Sequence, residues 1–525
     1  MSGGGTKAVP QAVPEVTPRK VIAFLCMVFG MFMAILDIQI VSASLTEIQA
    51  GLSASADEIS WVQTSYLIAE VIMIPLSGYL SRAFSTRWLF AVSCAGFTFM
   101  SFLCATASSI DEMIIYRALQ GFIGGGMIPT VFAAAFSVFP REKQNVVSPL
   151  IGLVATLAPT IGPTIGGYLT ELFSWHWLFL INIVPGILVT ISTLILVDFD
   201  EPDLSLLDRF DWLGLLSMAA FLGSLEFVLE EGPANDWFDD HEIVLFTAVG
   251  AISGVVFFLR AFMAKEPIVD LRSFANRNFA TGATFSFAMG IGLYGLTYLY
   301  PLYLARVRDY SALMIGETMF VTGICMFLTA PVAGRLMRLL DPRVMVALGF
   351  LGFGLGTWEA SKITVDWDFW ELFWPQVLRG VSLMICMVPI TNLSLGTLPV
   401  TTLKNASGLF NVTRNLGGAV GLAIINTILS DREDLHIARI RETLTWGRDV
   451  ADKALETMTS GYSPLGPLAD TAALSSLYGM VRQQASVMAF ADVFFVLTVL
   501  FVLLVAATPM MQRPAAPTGG GGGGH

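Results

Sequence analysis

Ala158-Pro159-Thr160-Ile161-Gly162-Pro163-Thr164-Ile165-Gly166-Gly167 lies inside an apolar segment long enough to span a bilayer. Pro159 and Pro163, one helical turn apart, each remove a backbone donor, while Gly162, Gly166 and Gly167 leave one helix face without side chains. A membrane helix built this way can bend and press closely on a neighbour, which makes these five residues a candidate conformational gate.

The rest of the chain supports a membrane reading. Of its 525 residues, 55% are hydrophobic and 13% charged, and the mean hydropathy of +0.70 lies outside the range of an ordinary soluble domain. The first apolar segment, from Val21 to Ser44, follows Arg19-Lys20 and has the length of a span rather than of a cleaved signal. Cys26, Cys94, Cys104, Cys325 and Cys386 all fall in apolar segments without metal-ligand spacing and read as packing residues. The formal charge of -12 arises in part from loop acids such as Asp198 to Asp203 and Asp236 to Glu242.

Apolar windows near 21–44, 58–80, 87–107, 112–138, 146–170, 176–197, 213–232, 243–262, 279–304, 312–337, 343–361, 371–398, 405–429 and 486–509 predict fourteen helices. An even number puts both termini on one side. The segments on that side hold 17 of the 29 Lys and Arg residues, whereas the short loops opposite hold only Arg306, Arg308 and Lys362. Both termini are therefore expected in the cytoplasm.

Two pieces of sequence recur at long range. Gly78-Tyr-Leu-Ser-Arg82 resembles Gly334-Arg-Leu-Met-Arg338, and Gln120-Gly121 followed by Pro140 resembles Arg379-Gly380 followed by Pro399, each proline nineteen residues after its glycine. The chain reads as an all-α membrane protein of two six-helix halves with two extra central helices. The expected divisions are a disordered N-terminus (1–20), an N-terminal bundle (21–200), two inserted helices (201–265), a C-terminal bundle (266–510) and a flexible tail (511–525). Within the C-terminal bundle, 431–485 forms an extracytoplasmic loop, where Leu435, Ile437, Ile440 and Leu444 suggest an amphipathic helix that either caps the cavity or docks a partner. Parallel halves place a substrate site near the midplane between them.

Ionisable groups at membrane depth are costly, so each one calls for a reason. Asp37 and Arg117 fall at matching depth, roughly 8 Å below one surface at 1.5 Å per residue, where they can pair. They serve either proton coupling or a static ion pair. Glu70 sits in the middle of the second span, and Gln63, Glu70 and Ser77 recur every seven residues on one stripe, which faces either a cavity or an interhelical seam. Gln120 joins this group, while Gln376, Arg379, Asn411 and Arg414 mark the C-terminal half, as cavity residues or as polar groups that contact one another. Glu226 and Glu317 also fall in or near spans.

No Gly-x-x-x-x-Gly-Lys-Ser/Thr cradle for ATP occurs, so an ion gradient is the expected energy source. His176, His241, His436 and His525 form no metal-spacing cluster, and no Gly-x-Ser-x-Gly elbow is present. The residues thus suggest no enzyme, no cofactor, no metal and no nucleic-acid partner. Gly124-Gly125-Gly126 lies in a span and reads as a packing surface.

With these residues in view, the chain from about 21 to 510 resembles the major facilitator superfamily, within it the fourteen-span drug:proton antiporters of the EmrB/QacA type. Gly162-Pro163-x-x-Gly166-Gly167 resembles the superfamily's antiporter motif. Arg117-Ala-Leu-Gln120-Gly121 resembles its fourth-helix proton-transfer motif, and Leu36-Asp37 its first-helix acid. Trp175-His-Trp177-x-Phe179-x-x-Asn182-x-x-Pro185, Pro267 to Phe279, and Ser407-Gly408-Leu-Phe-Asn411-x-x-Arg414-x-Leu-Gly417-Gly418 bring the resemblance closest to EmrB members. After Gly78 the chain departs from the pattern: Arg82 stands where an acid is usual, and Ser85 where a second glycine is usual.

The resemblance implies a multi-pass protein of the bacterial inner membrane that exports hydrophobic, often aromatic or weakly acidic toxic compounds by alternating access. It would be driven by protons through Asp37, Glu70 and Arg117. It also implies an EmrA-type periplasmic adaptor and a TolC-type outer-membrane channel as partners. The alternatives are a metabolite uptake symporter and a non-transporting receptor or scaffold on the same fold.

Overall fold

A computed structural model describes residues 16–42, 44–140, 143–264, 267–443 and 449–511. Most of the expected N-terminal segment and tail, together with Leu444, lie outside these residues. Among the described residues, twelve helices are long and apolar enough to cross a membrane. One of them, Trp61–Ala105, runs 45 residues, but Ser85 inside it has φ 75° and ψ 157°, so it is two helices. Tyr66 lies against Gly121 and Ser101 against Gln120, neighbours on the helix that follows, which shows that the chain reverses at Ser85. The 19-residue, glycine-rich helix Pro342–Ala360 completes fourteen.

In chain order the spans are α1 (Pro18–Ser42), α2 (61–84), α3 (86–105), α4 (Ile110–Val138), α5 (Gln144–Leu172), α6 (Trp177–Leu196), α7 (Trp212–Glu231) and α8 (His241–Met263). They continue as α9 (Arg277–Arg308), α10 (Ala312–Leu339), α11 (Pro342–Ala360), α12 (Phe369–Leu395), α13 (Val400–Thr443) and α14 (Ala469–Ala507). Their ends carry side-chain caps where the sequence supplies them: Asp240 for α8, Asn276 for α9, Asp341 ahead of Pro342 for α11, and a capping box of Asp368 and Glu371 for α12. Large apolar side chains such as Phe99, Ile115, Leu188 and Val255 stay exposed on the outer faces, as expected where the solvent is lipid.

Glycine contacts reveal the two halves. In α5 the cleared face packs on α1: a Cβ at Gly162 would stand 2.4 Å from Gln39 Cβ, and one at Gly166 would stand 2.9 Å from the Ile40 carbonyl oxygen. In α13 the same device packs on α9, where a Cβ at Gly417 would stand 2.0 Å from the Phe287 carbonyl oxygen. Likewise Gly121 of α4 presses on the backbone of Tyr66 in α2, and Gly380 of α12 on the backbone of Thr322 in α10. Helices α1 to α6 thus repeat as α9 to α14.

The halves meet along α2 with α13 and α5 with α10. The inserted helix α7 packs on both α2 and α13, and α8 packs on α7. On the side opposite the termini, α13 and α14 run on as one projecting hairpin, with the helix Asp449–Gly461 between them. The amphipathic segment expected around Leu435 is therefore the end of α13. Its buried residue is His436, 2.9 Å from Asp492 of α14, while Leu435 is exposed, because polar pairing rather than an apolar stripe joins the two helices there.

Candidate functional site

Five helices converge on Asp37. Its carboxylate accepts from Arg117 (2.7 Å, α4), Asn182 (2.6 Å, α6) and Gln120 (3.3 Å, α4), and neither Asp37 nor Arg117 has any exposed surface. Arg117 also donates to the Val62 carbonyl of α2 at 3.2 Å and to Gln120 Oε1 at 2.7 Å, and it stands 4.1 Å above the Tyr66 ring. Gln120 in turn donates to Ser101 of α3 at 2.8 Å. A buried ion pair persists when further hydrogen bonds offset its desolvation, and here they come from Val62, Gln120 and Asn182. Nη2 of Arg117 and the Tyr66 hydroxyl have no protein partner.

Beside this cluster lies a cavity of about 510 Å³, within the range of small-molecule sites. Its deep wall includes Glu70, Tyr294 and Asn415, and it reaches Ser42, Ser60 and Ala305 at the helix ends opposite the termini. Ile38 and Gln39 of α1, the residues just after Asp37, form part of the wall, as does Pro163 of α5.

Toward the termini the halves are closed on one another. Lys404 of α13 pairs with Asp200 and donates to the Ser81 carbonyl of α2 at 2.8 Å. Asp200 also accepts from the Thr86 N–H at 3.1 Å, and Asn405 exchanges hydrogen bonds with the Asp270 backbone at 2.8 and 3.1 Å. Ser407 donates to the Pro129 carbonyl at 2.9 Å, and Phe132 meets Phe410. The charges that tie this end come from Asp200 and Lys404, next to the loop where Arg82 and Ser85 depart from the superfamily pattern.

The sequence-derived candidates separate into three groups. Asp37, Arg117 and Gln120 form the buried cluster, whereas Gln63 and Glu70 border the cavity. Gln376, Arg379, Asn411 and Arg414 do not border it, nor does Gln120, since each is taken up in helix seams. Gln376 meets Thr322, Arg379 meets Thr297, and Arg414 donates to Asn411 at 2.7 Å and faces the Phe132 ring at 5.4 Å. Of the Pro/Gly residues, Gly162 and Gly166 hold α5 to α1, and the Gly167 carbonyl accepts from Thr170. Pro159 and Pro163 lie within one continuous helix.

Sequence reasoning missed Ser101, Tyr66, Tyr294 and Tyr298, ordinary residues in their segments, and read Asn415, which lines the cavity, only as a polar group beside Arg414. It quoted Asn182 only within a motif, and it assigned nothing to Glu226, although an acid inside an apolar span is itself a signal.

A family model described as Major Facilitator Superfamily matches residues 27–422. The colistin resistance protein EmrB of Acinetobacter baumannii is 42% identical over 477 residues, 91% of this chain and 93% of that protein. The multidrug export protein EmrB of Escherichia coli K12 is 30% identical over 435 residues, 83% of this chain and 85% of that one. Among solved structures, the human organic anion transporter MFSD10 shares the fold with a TM-score of 0.57 at 13% identity, covering 92% of this chain and 100% of that one. A bacterial homologue of the lysosomal transporter Spinster gives 0.54 at 15% identity, covering 95% and 100%. With its paired glycine seams, its two six-helix halves and these relatives, the chain belongs to the major facilitator superfamily and, within it, to the EmrB type of drug transporter.

Proposed function

We propose that this protein is a proton-driven exporter of hydrophobic toxic compounds in a bacterial inner membrane, with both termini in the cytoplasm. The observation that carries the reading is the fully buried Asp37–Arg117 pair, held next to a cavity that is closed toward the termini and reaches the opposite helix ends. Protonation of Asp37 from the far side would release Arg117 and loosen the joint between α1, α4 and α6, and Glu70 in the cavity wall would couple substrate to that step. The glycine face of α5 would carry the motion of α1. The divisions of the chain follow the two bundles and the inserted pair, with 431–485 on the periplasmic side as the docking hairpin for an EmrA-type adaptor and a TolC-type channel.

The basic residues near the termini support the orientation. Export-type names among the relatives support outward transport. Inside-out vesicles provide the test: substrate accumulation should require a proton gradient and stop in Asp37→Asn. Accumulation indifferent to a protonophore would refute the coupling.

A further inference from the structure

We propose that the C-terminal half binds a small monovalent anion of the halide class at Arg379 of α12, the charge that Asp37 supplies in the N-terminal half.

The two halves are built alike at this level but differ in charge. Gln120 precedes Gly121 of α4, and Arg379 precedes the matching Gly380 of α12. Each reaches the helix that opens its own half: Gln120 donates to Asp37 of α1 at 3.3 Å, and Arg379 donates to Thr297 of α9. Three residues earlier stand Arg117 in α4 and Gln376 in α12. The N-terminal set is therefore an acid, an arginine and a glutamine, balanced in charge. The C-terminal set keeps an arginine and a glutamine, with a threonine where the acid would be.

No ion pair among the described residues includes Arg379, although it is only 1% exposed. A guanidinium does not give up its proton in a protein, so the escape open to a buried lysine is closed here. The bond to Thr297 leaves the positive charge uncancelled, and Nε and Nη1 of Arg379 have no protein partner. A buried charge at membrane depth persists where an opposite charge joins it.

The surroundings supply a second donor. Gln376 lies one turn from Arg379 on the same face of α12. Its oxygen accepts from Thr322, which orients the amide, and its nitrogen points at the Met319 sulfur at 3.1 Å, a weak acceptor that a halide would outbid. Arg379 itself does not border the central cavity, but Thr297 does, which gives a small ion a route from the open side. One negative charge balances the guanidinium, whereas a divalent anion would overshoot. A halide also takes up no proton, so it would hold α9 to α12 at any pH at which the Asp37 carboxylate titrates.

The probe is radiolabelled chloride, measured at equilibrium on the full chain in nanodiscs of zwitterionic lipid, with sodium gluconate keeping the ionic strength constant. Binding should saturate at a single ion per chain, be displaced by bromide, and weaken at least about tenfold in Arg379→Gln. Thr297→Asp returns the missing acid and should abolish chloride binding in a protein that stays monodisperse. Should Arg379→Gln not fold, Thr297→Asp decides. No binding above that of empty nanodiscs, or binding undiminished in a folded variant, overturns the proposal. Transport indifferent to a protonophore would remove the exporter reading and leave this site standing, since its ligand is neither the cargo nor the proton.

Discussion

At the scale of single residues, two positions carry most of the consequence. Asp37 and Arg117 are buried together, so removing one charge strands the other. Asp37→Asn should abolish coupled transport in vesicles and also lower the thermal midpoint of the purified protein, since breaking a buried pair costs about 3–5 kcal/mol. A variant with a wild-type melting curve would mean that Arg117 finds another partner. Ser85 is the opposite case, a residue in a backbone region that disfavours any Cβ, with φ 75°. Such strain costs about 1–3 kcal/mol, so Ser85→Gly should raise the thermal midpoint and leave transport intact. The pairing of Asp37 with Arg117 was legible from their matching depth alone. The supporting ring of Asn182, Ser101 and Tyr66 was not, because a serine or tyrosine in an apolar helix gives no sign of which neighbour it meets.

At the scale of helices, glycine decides how closely neighbours approach. The Pro/Gly stretch of α5 reads in sequence as a flexible helix, and the structure adds its partner, α1. Gly166→Ala would bring a Cβ within 2.9 Å of the Ile40 carbonyl oxygen, a backbone atom that cannot swing aside. Gly166→Leu should therefore reduce the monodisperse fraction in size-exclusion chromatography more than Gly166→Ala does, overpacking costing about 1–3 kcal/mol. The start of α12 shows a different control. Tyr310 and the Phe369 N–H both donate to Asp368 and hold its carboxyl below the ordinary carboxylate range. A depressed carboxylate stabilises the fold above its unfolded pKa, about 3.9, and that stabilisation fades as pH falls through the lower folded value. Asp368→Asn should thus lower the thermal midpoint at neutral pH, and the difference from the parent should shrink in acid.

At the scale of the whole molecule, the closure near the termini rests on few polar contacts. Lys404 bridges Asp200 and the Ser81 carbonyl across the α2–α13 seam, with Ser407 against the Pro129 carbonyl beside it. Asp200→Asn removes the charge that holds Lys404, so the population should shift toward a form open on that side. The readout is the alkylation rate of Ser407→Cys by a hydrophilic maleimide, which should rise when Asp200→Asn is added. An unchanged rate would show that apolar packing such as Phe132 on Phe410 holds the closure alone.

Fourteen apolar helices, a repeat of six and an acid matched in depth to an arginine all follow from local composition and spacing, because a bilayer imposes a length on each span and a cost on each charge. Which polar groups face the cavity does not follow in the same way. Gln376, Arg379 and Arg414 carry the same kind of signal as Glu70, yet packing turns them into seams, while Glu226, on a helix with no repeat partner, comes to line the cavity. A helix presents all its faces in sequence, and only the neighbours it acquires on folding settle which of them meets another helix, lipid or open space.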